Sequence, residues 1–197
     1  MSVKSYLERP GAQLPTDFGQ FRIYTFPAEF PGYPNLLLLP EEGSLANNAL
    51  VRIHSECLTG DVFASKRCDC GYQLHFSLQR IAAEGGALIY LRQEGRGIGL
   101  EKKIEAYTLQ DMGMDTVEAN LHLGHEVDER NYGQAVYILQ TLKLSQIRLF
   151  SNNPLKKQYL EEHGIQVTEM IPVQKPVDHY NERYLHAKKY KLGHLLP

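Results

Sequence analysis

Gln73-Leu-His-Phe-Ser-Leu-Gln-Arg-Ile-Ala-Ala-Glu84, Gly85-Gly86, Ala87-Leu-Ile-Tyr-Leu91 and Arg92-Gln-Glu-Gly-Arg-Gly-Ile-Gly99 follow one another without a gap. Leu74, Leu78 and Ile81 recur at helical spacing, so the first stretch predicts a helix over 73–84. The glycine pair stops it, and Ala87 to Leu91 is a short apolar run of the buried-strand type. A glycine-rich, charged loop then leads into a second helical pattern, Leu100 to Met112, with Leu100, Ile104 and Tyr107 on its apolar face.

The same alternation continues downstream. Helices are expected at Asn131–Leu142, Pro154–His163 and Tyr180–Lys191, and strands at Ile147–Phe150 and Ile165–Glu169. Upstream, Gln20–Phe26, Asn35–Leu39 and Leu50–His54 read as strands bounded by Gly, Pro and Asn, and the cysteine-bearing segment after them as a loop. Strands alternating with helices predict an α/β fold, a layered single domain over 1–197 with a mixed sheet flanked by helices, and with 1–12 a loosely ordered N-terminal segment.

Composition narrows the function classes. The 197 residues carry 43% hydrophobic and 22% charged side chains and a net charge of −2, which is ordinary for a globular protein and gives no basic field for nucleic acid. The apolar runs are short, Leu37-Leu38-Leu39 for example, so no membrane span is expected, and the first ten residues hold no apolar signal core. A reduced, cytoplasmic protein is the expectation.

The three cysteines, Cys57, Cys68 and Cys70, form a Cys-x10-Cys-x-Cys cluster. Three thiolates without a fourth partner read first as a catalytic zinc with one position left for an activated water. A closed site completed by one of the eight histidines, or three small buried thiols with no metal, are the competing readings. The loop from Arg92 to Gly99 reads equally as an anion site, through its glycines and Arg96, or as a glycine-rich turn with a solvated Arg96; it is neither a Walker A loop nor a dinucleotide fingerprint. At Ser151-Asn-Asn-Pro154, Asn153 is a natural N-cap and Pro154 a natural first helical residue. Lys156 and Lys157 then fall in a first turn where the helix dipole disfavours cations, which reads first as a place for a phosphate and next as a solvated face. Strand alternation puts Arg52, His54 and Glu56 on one face beside Cys57, a site wall rather than an exposed edge.

Taken together, Arg52-Ile-His-Ser-Glu-Cys57-Leu-Thr-Gly-Asp61, Arg67-Cys68-Asp-Cys70-Gly71-Tyr-Gln73-Leu74, Arg92 to Leu100, Asp115-Thr116-Val-Glu-Ala-Asn120, Asp128-Glu-Arg130 and Ser151 to Pro154 closely resemble GTP cyclohydrolase II, in its stand-alone form. The similarity runs from about residue 13 to Leu196. It implies hydrolysis of GTP to 2,5-diamino-6-ribosylamino-4(3H)-pyrimidinone 5′-phosphate, formate and pyrophosphate, the opening step of riboflavin biosynthesis.

The resemblance also implies one zinc per chain on Cys57, Cys68 and Cys70, Mg2+ with the triphosphate, and a homodimer. It matches Arg52, Ile53, His54, Ser55, Glu56, Gln73, Glu94, Gly95, Arg96, Thr116, Ser151 and Lys156 to GTP contacts, Glu94 being the residue suited to guanine. Asp128 matches the proton acceptor, Arg130 the nucleophile at the α-phosphorus, and Tyr107 a tyrosine near the reacting base. A guanidinium with a pKa above about 12 is equally suited to clamp the α-phosphate as a charge. Ser151 stands where threonine is common, Leu155 where lysine is usual and Met114 where tyrosine is usual. Two other functions compete: a non-catalytic, zinc-stabilised nucleotide-binding module, and a relative that stops at the formamidopyrimidine nucleotide.

Overall fold

The computed structural model describes residues 11–28, 33–42 and 45–195, so residues 1–10 of the N-terminal segment expected to be loosely ordered lie outside it. Among the described residues seven strands form one sheet: β1 (Ala12–Thr16), β2 (Gly19–Phe26), β3 (Asn35–Pro40), β4 (Ala49–Ser55), β5 (Ala87–Leu91), β6 (Gln146–Phe150) and β7 (Gln166–Ile171). Their order is β1-β2-β3-β5-β4-β6-β7. The pairs β1–β2, β2–β3 and β3–β5 are antiparallel, and β4–β6 and β6–β7 are parallel, so the sheet is mixed, as expected.

Seven α-helices accompany it among the described residues: α1 (Leu58–Asp61), α2 (Cys70–Glu84), α3 (Gly99–Asp111), α4 (Thr116–His122), α5 (Gly133–Thr141), α6 (Pro154–Glu162) and α7 (Glu182–Tyr190). The chain divides into two compact units. One takes its described residues from the chain up to His54, Leu74–Arg92 and Tyr132–Val173; the other from Ser55–Gln73, Gln93–Asn131 and Gln174 onward.

In the first unit, strand alternation sorts two cores. Val51 and Ile53 of β4, Ala87, Ile89 and Leu91 of β5, and Ile147 and Leu149 of β6 pack with Ala135, Ile138 and Leu139 of α5 and Leu160 of α6. Leu50, Leu88 and Phe150 point the other way and pack with Leu78 and Ile81 of α2. Gly86, the predicted helix stop, is required by contact as well as by its φ of +136°: a Cβ there would lie 2.1 Å from the Leu50 carbonyl oxygen.

Four local differences have physical causes. The cysteine segment is not all loop: α1 follows Cys57 because the Asp61 carboxylate accepts from the Cys57 amide at 3.0 Å, and α2 starts at Cys70 rather than Gln73. The Glu94–Gly97 stretch closes as a 3-10 turn with Gly95 and Arg96 both left-handed. β1 and α4 add to the predicted elements; α4 is set by a capping box in which Asp115 accepts from Val117 and Glu118 amides while Glu118 reaches back to the Asp115 amide. Finally, α3 is rotated from the expected facing, with only Tyr107 of the expected inward stripe half-buried. Leu100 and Ile104 are 39% and 47% exposed, while Lys103 and Ala106 are buried.

Candidate metal centre and active site

The second unit brings the three cysteines together. Their Sγ atoms all lie within 4.8 Å of one another, and Cys57 Sγ is 3.7 Å from Cys68 Sγ. The approach depends on two small residues. A Cβ on Gly60 would sit 2.8 Å from Cys68 Sγ and 3.2 Å from Cys57 Sγ, and a Cβ on Gly71 would lie 2.2 Å from the Gly60 carbonyl oxygen.

Three thiols so close cannot all ionise without a cation. Hydrogen bonds from Cys68 and Cys70 hold the Cys57 thiol far below its ordinary value. The hydrogen bond to Cys57 pushes Cys68 up to about 11, and Cys70 is raised well above the usual range by its bonds to Cys57 and Cys68. A divalent ion held by the three sulfurs would resolve this conflict by stabilising every thiolate, and the all-sulfur donor set is of the kind that suits zinc.

Side chains from the 3-10 turn and α3 close around Cys57. Lys103 Nζ donates to Cys57 Sγ at 3.1 Å and to Glu94 Oε1 at 2.7 Å. Burial opposes the charge on Lys103, but Cys57, Tyr107 and Glu94 outweigh it and hold the ammonium above the usual lysine range. The Glu94 carboxylate also accepts from the Leu58 amide at 2.5 Å and the Gly95 amide at 2.7 Å, so both its oxygens are engaged by protein donors. Thr59 Oγ1 lies 3.7 Å from Cys57 Sγ and 3.1 Å from the Tyr107 hydroxyl. Burial raises the Tyr107 phenol above its ordinary value, so it stays protonated at neutral pH. Buried Asp69, between two of the cysteines, accepts from Gln73 Nε2 at 2.7 Å and from Lys188 Nζ of α7 at 2.6 Å.

A second constellation in the same unit carries positive charge. Arg96 has φ +63° and ψ +33°, a left-handed conformation that a non-glycine residue adopts at a cost. Its Nη1 and Nη2 are buried with no hydrogen-bond partner among the described residues, and its guanidinium lies 5.9 Å from the Tyr184 ring centre. The Arg96 carbonyl accepts from the Glu129 amide at 3.0 Å, which ties the turn to the Asp128–Arg130 segment. There Arg130 forks onto Asp128, Nε to Oδ1 at 2.7 Å and Nη2 to Oδ2. Burial works against the charged carboxylate, but Arg130 holds Asp128 below its usual range. Ser55 Oγ accepts from Gln93 Nε2 at 2.8 Å, Glu56 is half-buried, and Thr116 opens α4 under the Asp115 cap.

The first unit holds the remaining candidates. Arg52 and His54 are 6% and 1% exposed, which excludes the exposed-edge alternative. Arg52 donates to the Phe150 carbonyl at 3.1 Å and stands 3.2 Å from His54 Nδ1. Ile53 is a core side chain whose carbonyl accepts from Lys156 Nζ at 2.8 Å. Lys156 is thus turned inward, while Lys157 pairs with Glu161 at the surface. Asn153 caps α6 as expected, accepting from the Leu155 amide at 3.0 Å, and Ser151 Oγ accepts from the Asn153 amide at 3.1 Å.

Lys103, Thr59, Asp69 and Lys188 were not legible as site residues. Thr59 and Asp69 lay inside the cysteine motifs, but nothing marked Lys103 or Lys188 apart from neighbouring lysines.

Fold and site together define an α/β protein with a candidate thiolate metal centre beside an arginine-bearing turn suited to an anion. The family model described as GTP cyclohydrolase II matches residues 8–172, and the chain belongs to that family. The protein named GTP cyclohydrolase-2 from Azotobacter vinelandii is 51% identical over 186 residues, covering 94% of this chain and 89% of that protein. Riboflavin biosynthesis protein RibBA of Bacillus velezensis is 52% identical over 187 residues, 93% of this chain and 46% of that protein. RibBA of Phocaeicola vulgatus is 48% identical over 184 residues, again 93% and 46%. The chain therefore spans about half the length of these RibBA relatives.

Proposed function

We propose that this chain is a zinc-dependent GTP cyclohydrolase II that converts GTP to the diaminopyrimidine ribonucleotide, formate and pyrophosphate at the start of riboflavin biosynthesis. The observation that carries the reading is the convergence of Cys57, Cys68 and Cys70 within 4.8 Å. It occurs in a chain 51% identical to a GTP cyclohydrolase-2 along 89% of that protein.

Zinc held by Cys57, Cys68 and Cys70 would supply Lewis acidity and bring the pKa of a water toward neutrality. Tyr107, protonated and bonded to Thr59, is a hydrogen-bond donor or relay rather than a phenolate. The Arg96 Nη1 and Nη2, without a hydrogen-bond partner among the described residues, suit phosphate oxygens. Ionised Asp128 fixes the plane of the Arg130 guanidinium and favours its charged form, so Arg130 acts as a clamp on the α-phosphate. Glu94 anchors Lys103 and α1, and its Oε2, which among the described residues accepts only from the Leu58 amide, keeps a lone pair suited to a guanine N–H. Mg2+ accompanies the triphosphate, the working form is a homodimer, and the compartment is the cytoplasm.

The test is incubation of the purified protein with GTP and Mg2+ while formate and pyrophosphate are both quantified. Equal release is expected, with the absorbance spectrum of the deformylated product. Pyrophosphate without formate, or GTP bound with neither product released, contradicts the reading; a formamidopyrimidine spectrum would mark the truncated reaction.

A further inference from the structure

Lys103 has no part in the chemistry above, yet it is placed with unusual care. Its side chain and that of Glu94 are each 9% exposed. The ammonium donates to Glu94 Oε1 at 2.7 Å and to Cys57 Sγ at 3.1 Å. Glu94 is in turn fixed by the Leu58 and Gly95 amides. Gly95 is left-handed, and a Cβ there would press to 3.2 Å on the Lys103 Cβ. Turn, carboxylate and helix thus converge to aim one ammonium at one sulfur.

We propose that Lys103 is a positioning residue of the metal centre: oriented by Glu94, it donates a hydrogen bond to Cys57 Sγ and draws electron density from that thiolate. A divalent metal held by Cys57, Cys68 and Cys70 then keeps the Lewis acidity that three anionic ligands would otherwise reduce. The inference rests on the zinc reading of the cysteines. Three thiolates place three negative charges on a doubly charged ion, and strong electron donation weakens an ion's pull on a bound substrate atom. A charge-assisted hydrogen bond to one ligand is among the strongest corrections a protein can make there. A simple Lys–Glu ion pair would leave the sulfur untouched, which is the distinction to be tested.

The experiment replaces zinc by cobalt(II) in the full chain. It records the thiolate-to-cobalt charge-transfer band and formate release for the wild type, Lys103→Met, Lys103→Arg and the paired Lys103→Met/Glu94→Gln. Losing the hydrogen bond makes the thiolate a stronger donor, so the band moves to longer wavelength in Lys103→Met. Formate release falls about 10–100-fold, the usual cost of an outer-shell partner, with the KM for GTP little changed. Lys103→Arg, which keeps a cationic donor, recovers most of both signals. The paired variant leaves no carboxylate buried alone, and so preserves the test if the single variant does not fold. A band and a formate rate unchanged in either folded variant overturn the role of Lys103. A wild type that takes up no cobalt overturns the zinc reading itself, and the proposal with it.

Discussion

Asp128 and Arg130 are two residues apart and joined by a fork, and the sign of the shift on Asp128 has a measurable consequence. Burial alone would raise the carboxyl; Arg130 wins and holds it below the usual carboxylate range. A folded-state pKa below the unfolded one contributes stability that is present above about pH 4 and lost as pH falls through the folded value. The difference in unfolding free energy between wild type and Asp128→Asn is therefore expected at neutral pH and should shrink below about pH 4 in urea titrations. A difference that grows on acidification contradicts the assignment. Arg130→Lys keeps a cation but loses the fork, and nearly all turnover is expected to go with it. A nucleotidyl adduct trapped on Arg130 by mass spectrometry would sink the clamp. At this scale the sequence exposed the cysteines and the Asp128–Arg130 pair because few other roles suit them. It hid Lys103, because Lys102 beside it has the same chemistry and differs only in facing Glu105 on the surface.

Elements were legible where one pattern dominated. β5 begins and ends at the predicted residues, and the β2, β3, β4 and β6 limits shift by a residue or less at each end. β1 escaped because Ala12-Gln-Leu-Pro-Thr16 holds a proline and little apolar run, tolerable only because the strand lies at the sheet edge. α4 is seven residues long and announced by its capping box rather than by periodicity. The facing of α3 could not be read from hydrophobicity, since Leu100 and Ile104 of its apolar stripe are exposed, Tyr107 alone of the three is half-buried, and a lysine lies beneath. That rotation predicts an inverted mutational response. Ile104→Ser should change stability by no more than about 0.5 kcal/mol. Ala106→Leu, on the buried side, should cost about 1–3 kcal/mol by overpacking. Denaturant midpoints of the two variants decide it, and the opposite ranking would restore the apolar-face-inward arrangement.

Over the whole molecule, what periodicity cannot reach is the pairing of distant segments. Asp69 and Lys188 are 119 residues apart, both buried, and bonded at 2.6 Å; Lys175 Nζ also reaches the Cys68 carbonyl at 3.4 Å. The C-terminal segment, beyond the 8–172 family match, thus holds the loop that carries two of the three thiols. Lys188→Met takes the ammonium from a buried carboxylate that keeps only the Gln73 amide, and is expected to cost about 3–5 kcal/mol and to lower metal content. Adding Asp69→Asn should recover most of the stability, as read by thermal unfolding and zinc analysis. The central claim is that the three cysteines hold a metal on which formate release depends. The most direct test strips the protein with a chelator, returns one equivalent of zinc per chain, and follows formate from GTP in the wild type and in Cys68→Ser. The account predicts that formate stops on stripping, returns with zinc in the wild type and does not return in Cys68→Ser. Full formate release from the metal-free protein, or from Cys68→Ser, would contradict it.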